Sequence, residues 1–454
     1  MKHKISLITA VILFLFATAC KKYLNEVPNP TLVIPNSVSD LQDLLDSYNT
    51  MNKFPATTVM VSDDYYLLDK DVNAVTNTAY RSQYNWQPDE SAFSDWIIMY
   101  TTAIANANVV LDNIPSIQNS TNQQQVNTIE ASALFYRSFY FYACAQLFAQ
   151  PYNQQTAKND LGIALRLDGD FNKVSVRSSV ADTYARIIED LQTAIPALPD
   201  QGLFKTRPTK AAAYGTLARV YLTMADYPNA SKYADLCIKA YGPDSLMDYN
   251  KLSTTATAPF KRFNSEVIFH CVGQTNSLIL NSRAKIDSNL YLSYASNDLR
   301  KKLFFKSNNN GTYQFKGDYN GSGTATGYAF GGIVLDEMYL TRAEANARLN
   351  QTSPALDDLN KLLKSRWVNG SFVPFTTTDP KVALAYILAE RRKELIFRGT
   401  RWTDLRRLKD DPNFSVTPKR IVAGQTFTLP PTSPRYTLKI PAEVINQSGM
   451  QQNP

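Results

Sequence analysis

The sequence predicts a mostly α-helical protein of tetratricopeptide-like helical hairpins forming a scaffold, with a long irregular, loop-rich segment carrying short strands. Three observations lead there. Apolar residues recur three and four positions apart over most of the chain. Small residues fall among them where one helix of a hairpin must admit the bulky side chains of its partner. Between about residues 246 and 332 that period gives way to Asn, Ser, Gly and Tyr with short apolar runs.

The N-terminus comes first. Lys2 and Lys4 precede an apolar run from Ile5 to Ala19, closed by Cys20, Lys21 and Lys22. This is the layout of a secretory signal peptide, and it falls short of the about 20 apolar residues that a membrane-spanning helix needs. Ala17-Thr18-Ala19-Cys20 resembles the lipobox of bacterial lipoproteins, with Ala17 in place of the usual leucine. Cleavage before Cys20 leaves a thiol able to carry lipid; an ordinary signal peptide cut near a cysteine is the alternative. Residues 20–38, with Pro28, Pro30 and Pro35, read as the lipidated cysteine and an extended tether.

Helices are then predicted over 39–48, 96–114, 127–148, 180–198, 210–224, 229–241, 334–349, 354–367 and 381–398. The stretch 209–243 is the clearest hairpin. Leu217, Ala218, Tyr221, Ala230, Ala234 and Cys237 take the interlocking positions of a tetratricopeptide repeat, and Ala225-Asp226-Tyr227 makes the turn. "LTRAEANARLNQTSPALDDLNKLL" is a second copy, with Ala343, Ala347, Ala355 and Leu359 in related places. These residues are scaffold.

Charge and cysteine usage exclude several functions. The formal net charge of +7 is spread along the chain without a basic run, which argues against nucleic acid. Cys144, Cys237 and Cys271 form no CxxC pair and read as small buried hydrophobes, so neither a zinc cluster nor a full disulfide framework is indicated, and no metal-ligating residue is singled out. His270 is the one histidine beyond the signal segment. It sits in "EVIFHCVG", a strand-like run in which a packing role outweighs membership of a catalytic triad.

Two irregular stretches, about 53–94 and 246–332, carry the mixture that sugar recognition requires: flat rings for C–H faces, and hydrogen-bonding groups for hydroxyl edges. The candidates in the first are Asp63, Asp64, Tyr65, Tyr66, Arg81, Tyr84 and Trp86. In the second they are Tyr291, Tyr294, Asn297, Tyr313, Tyr319 and Tyr328. The carboxylate pairs Asp63-Asp64, Asp89-Glu90 and Asp336-Glu337 are adjacent in sequence and so tend to point apart, whereas a glycosidase needs two acids flanking one bond. Glu390, Arg391, Glu394, Arg401, Asp404 and Arg407 recur around Gly399, which suits a turn between two helices. They read as a structural ion-pair network rather than as an acid/base site.

Four phrases together resemble one family. "WIIMYTTAIANANVVLDNI" is similar to the W-x3-Y-x3-I-x3-N helix of the SusD/RagB outer-membrane lipoproteins, and "VRSSVADTYARIIEDLQTAIPALP" to their R-x-S-V-x-x-x-Y-x-x-I-x-x-D-L segment. "AERRKELIFRGTRWTDLRRL" and the closing "IPAEVINQSGMQQNP" resemble their two C-terminal signatures. The resemblance runs through the chain in the expected order and implies a single SusD-like domain over 39–454. It implies a lipid-anchored protein of the outer membrane, facing the cell exterior. Such a protein captures an oligosaccharide, or a peptide, and hands it to a SusC-like TonB-dependent transporter without cleaving it and without a cofactor. The rival readings are a helical-repeat scaffold for protein assembly and a surface hydrolase.

Overall fold

The computed structural model describes residues 35–91, 94–170, 172–274, 276–321 and 329–454. The signal segment 1–19, Cys20, most of the tether and the candidate Tyr328 lie outside the described residues.

Helix α1 (Val38–Asp46) opens on a capping box: the Ser37 hydroxyl accepts from Asp40 N, and the Asp40 carboxylate accepts from Ser37 N. The predicted helix 96–114 is more elaborate than its periodicity implies. Ile97–Ile104 is a π-helix that runs directly into α2 (Ala105–Ile117). The hydroxyls of Thr101 and Thr102 donate to the carbonyls of Ile97 and Ile98 at 2.9 and 2.6 Å, competing with the regular amide bonds of that turn.

The spine is α3 (Gln123–Phe148), in which every residue from Ala131 onward is buried, so the helix is packed on all sides. Its Arg137 grips Asp190 of α4 (Val180–Ala194) with two bonds of 2.8 and 2.9 Å. The hairpin α5 (Lys210–Thr223) and α6 (Tyr227–Tyr241) forms where the small-residue pattern places it. Ala225 turns the chain at φ +58°, and Asp226 caps α6 by accepting from Asn229 N. Leu217, Ala218, Ala230, Ala234 and Cys237 are fully buried between the two. The second hairpin, α7 (Leu335–Arg348) and α8 (Thr352–Lys364), buries Ala343, Ala347, Ala355 and Leu359 in a separate cluster shared with α9 (Pro380–Glu394).

The predicted helix 381–398 ends early, at Glu394. Phe397 (φ +59°) and Gly399 (φ +72°) reverse the chain before α10 (Thr400–Arg407), and a Cβ on Gly399 would lie 2.8 Å from the Thr58 hydroxyl. A last helix, α11 (Ala442–Ser448), closes the chain.

The strands are short and paired in twos. β3 (Leu161–Ala164) and β4 (Arg177–Ser179) lie beside α4, and β11 (Lys419–Val422) and β12 (Gln425–Thr428) form a hairpin. Two further pairs join the two irregular stretches. β1 (Lys53–Phe54) runs parallel to β6 (Val272–Gly273), and β2 (Tyr65–Tyr66) antiparallel to β7 (Lys285–Ile286). β5 (Val267–Phe269) pairs with β10 (Ile333–Val334), and β8 (Phe305–Ser307) with β9 (Tyr313–Phe315), which packs on β7. "EVIFHCVG" thus supplies β5 and β6, with His270 buried between them. The two stretches are therefore one body around one hydrophobic cluster, which includes Tyr65, Tyr84, Phe260, Tyr294, Phe304, Phe315 and Tyr319.

Candidate functional site

Burial divides the sequence-predicted residues into two groups. Tyr65, Tyr84, Trp86, Tyr294 and Tyr319 are inside, at most 3% exposed, and are not platforms for a ligand. Each has a structural partner in place of one. The Tyr65 hydroxyl donates to Met60 O, Leu67 N donates to the Tyr84 hydroxyl, and Trp86 Nε1 donates to Val61 O. The Arg420 guanidinium lies 3.8 Å from the Tyr84 ring centre and 4.5 Å from that of Trp86. The Tyr294 hydroxyl donates to Lys393 O, and the Tyr319 hydroxyl donates to Glu266 Oε2 at 2.6 Å. These rings carry polar tips that need internal partners, and irregular backbone supplies the free carbonyls.

Asp63 and Asp64 are also committed. Arg401 donates to both oxygens of Asp63 at 2.6 and 2.8 Å, and Arg392 bridges Asp63 and Asp64 at 3.3 and 3.5 Å. Burial alone would raise Asp63, but Arg401 and Arg392 outweigh it and hold the carboxyl well below its ordinary value. In Asp64 burial prevails over Arg392 and pushes the group up to about 6.

These two acids belong to a larger network. The charged residues around Gly399 all form ion pairs: Arg391 with Asp404 at 3.0 Å, Arg407 with Asp404 at 2.8 Å and with Glu344 at 2.5 Å, and Arg401 with Asp63. Glu390 and Glu394 meet Arg300 at 2.6 and 3.0 Å. Arg300 also holds Asp298 at 2.7 Å, and Arg366 spans Glu394 and Glu266, each at 2.7 Å. Asp298, Arg300 and Glu266 come from the loop-rich body, and Glu390 and Glu394 from α9. Buried charge thus clamps that body to the helices. Asp336 and Glu337 diverge as adjacent acids should: Glu337 grips Arg219 at 2.6 Å, and Asp336 lies 3.7 Å from Arg398.

Tyr66, Arg81, Tyr291, Asn297 and Tyr313 remain half-exposed. The structure brings Tyr291 and Tyr313 together: their rings stack with centres 3.6 Å apart at 16°, and Lys301 Nζ lies 4.9 Å from the Tyr291 centre. Burial and the neighbouring Tyr313 push the Tyr291 hydroxyl up to about 12, so it stays a donor at neutral pH. Tyr66 is on β2, paired with β7, and β7 also contacts β9, which carries Tyr313. Leu292, beside Tyr291, is 71% exposed. Arg81 occupies a separate helical turn (Thr78–Tyr84), and the Asn297 carbonyl accepts from Val368 N.

The β8–β9 turn adds Asn309 and Asn310, both exposed, with Asn309 at φ +60° and Gly311 at φ +81°. Sequence reasoning passed over these amides and Lys301. The run Asn308-Asn309-Asn310-Gly311 was a legible turn signal, whereas nothing in the sequence placed Lys301 beside Tyr291.

Residues 22–222 match the family SusD-like_3, described as starch-binding associating with outer membrane, and residues 261–454 match SusD_RagB, the SusD family. The SusD-like protein P2 of Formosa agariphila is 32% identical over 136 residues. That stretch is 30% of this chain and spans a quarter of the relative's length. Among solved structures, a SusD superfamily protein from Bacteroides thetaiotaomicron has the same fold, with TM-score 0.74 and 22% identity over 92% of this chain and 100% of the other. A SusD-like carbohydrate binding protein from Bacteroides vulgatus has TM-score 0.69 and 19% identity, over 91% and 97% of the two chains.

Proposed function

The chain belongs to the SusD/RagB family, and from that premise we propose that it is a nutrient-binding lipoprotein of the outer membrane that captures an oligosaccharide and releases it unchanged. The observation that supports capture is the half-exposed Tyr291–Tyr313 stack, beside Lys301 and the amides of the β8–β9 turn. Stacked rings fixed at two points present a flat apolar face at little conformational cost. The surrounding ammonium, hydroxyl and amide groups offer donors and acceptors to sugar hydroxyls. The buried ion pairs beneath make the platform rigid.

In this reading residues 1–19 are the signal, 20–38 the acylated cysteine and tether, and 39–454 one domain. Among the described residues no helix is long and apolar enough to cross a membrane. In this reading attachment is through lipid at Cys20, where each buried methylene contributes about 0.8 kcal/mol. Delivery is to a SusC-like TonB-dependent transporter, from the cell exterior. Asp63, Asp64, Asp298, Glu390 and Glu394 are tied into arginine pairs, which favours binding over hydrolysis at these acids.

Calorimetric titration of the full chain in detergent with a panel of neutral oligosaccharides tests the proposal. Binding that weakens in Tyr313→Ala, with no shorter sugars found by chromatography, is expected. Product release, or affinity indifferent to Tyr313, contradicts it.

A further inference from the structure

A cleft of about 500 Å³ that shares no lining residue with the tyrosine stack lies between the π-helix, residues 166–169 and 172–175, and α11. Its floor is Trp96 and Tyr100, 7% and 8% exposed and stacked with centres 4.2 Å apart, with the Tyr100 hydroxyl donating to Ala164 O; Ile104 and Ala105 continue it. These residues belong to the W-x3-Y helix singled out in the sequence, and the ring pair sits at and within its π segment, a geometry often found at functional sites. The facing wall is built and held. Asn108 Nδ2 donates to the carbonyls of Arg166 and Asp168 at 2.9 and 3.1 Å, Arg137 donates to Leu167 O, and Gly169 N donates to Asp112 at 2.6 Å.

Two features of that wall are open to a ligand. Val174 lines the cleft while 65% exposed. The Asp168 side chain is 33% exposed; one oxygen takes Lys173 Nζ at 2.7 Å, and Oδ1 meets no side-chain donor among the described residues. A ligand hydroxyl can donate to that oxygen.

We propose that this cleft is a second glycan subsite, taking a neutral polyhydroxylated unit against Trp96, Tyr100 and Val174 with a hydroxyl donated to Asp168. The volume falls within the about 300–1,000 Å³ of small-molecule sites. Charge selects the class of ligand. Arg166 and Lys173 oppose a cation, and Asp168 opposes an anion, whereas a neutral polyol satisfies the free oxygen and lays C–H groups on the apolar floor. The site shares no residue with the Tyr291–Tyr313 platform and rests on the glycan-binding reading above.

The test titrates the full chain with maltoheptaose, cellohexaose, xylohexaose, mannohexaose and laminarihexaose, comparing Tyr313→Ala, Ala105→Trp, which fills the cleft, Asp168→Asn and the Tyr313→Ala/Ala105→Trp double. Asp168→Asn preserves shape and so reports on the site even where Ala105→Trp disturbs folding. Expected is residual binding in Tyr313→Ala that the double variant abolishes and that Asp168→Asn weakens about 3- to 10-fold. Loss of all binding in Tyr313→Ala alone, a double variant that binds as Tyr313→Ala does, or silence from the wild-type chain overturns the proposal. Binding unaffected by Tyr313→Ala but abolished by Ala105→Trp upholds the cleft and strikes the platform instead.

Discussion

The helical hairpins and the loop-rich body solve the same problem in opposite ways. In α5 and α6 the backbone satisfies itself, and alanines admit neighbouring side chains, so stability comes from apolar packing spread over many small contacts. In the body that carries the tyrosine stack the strands are two or three residues long. Around its apolar cluster, further order there comes from tyrosine hydroxyls, the Arg420 fan of carbonyl contacts and the Arg300–Arg366 charge cluster. Irregular backbone can be made rigid, but a few side chains then carry much of the cost. A binding surface built this way is open in conformation and fixed in place.

The difference is broken most severely at Arg300. Arg300→Met leaves Asp298, Glu390 and Glu394 buried without their shared cation, and a loss of about 3–5 kcal/mol is expected in urea denaturation. Hydrogen exchange should speed up first in residues 285–315 and last in α5 and α6. Equal acceleration everywhere would show that the body has no separate anchor.

Gly332→Ala acts next. Its Cβ would run into the Phe269 carbonyl oxygen, a backbone atom of the β5–β10 pair that cannot step aside, and a loss of about 1–3 kcal/mol follows.

Asp95 sits at the junction, ahead of the π-helix and bonded to Thr57. Burial raises its carboxyl to about 6 from an ordinary 3.8, so the native state holds this proton more tightly than the unfolded chain does. Its contribution to stability is therefore greatest below pH 4 and falls as pH rises toward 6. Asp95→Asn should gain on the order of 1–3 kcal/mol relative to wild type between pH 4 and pH 7, read from melting curves across that range. Parallel wild-type and variant curves would show that Asp95 is ionised throughout.

The smallest effect on stability is expected at Tyr313. Tyr313→Ala removes a half-exposed ring and should cost under about 1.5 kcal/mol in unfolding while lowering glycan affinity about 3- to 10-fold. A larger loss of stability than of affinity would make the stack a structural element.

Legibility in the sequence followed the same division. Helices were readable because a 3.6-residue period and buried alanines are local signals, and even the charged signature around Gly399 could be assigned to structure. The loop body was recognisable only as irregular. Whether a tyrosine there faces inward depends on pairings such as Tyr65 with Ile286 and on cations from far along the chain, Arg420 for Tyr84 and Arg398 for Tyr319. Hence Tyr84, Trp86 and Tyr319, apt in chemistry, proved to be interior, whereas Tyr291 and Tyr313 met at a surface. The π-helix was hidden because its apolar spacing passes for an ordinary helix; the paired Thr101-Thr102 was the only hint.

Hydrogen–deuterium exchange on the full chain, with and without a saturating neutral oligosaccharide, tests the central claim most directly. The account predicts slowed exchange in the segments around Tyr291 and Tyr313, with α5 and α6 unchanged. Protection confined to the helical hairpins, or absent from 288–315 while the sugar is bound, would contradict it.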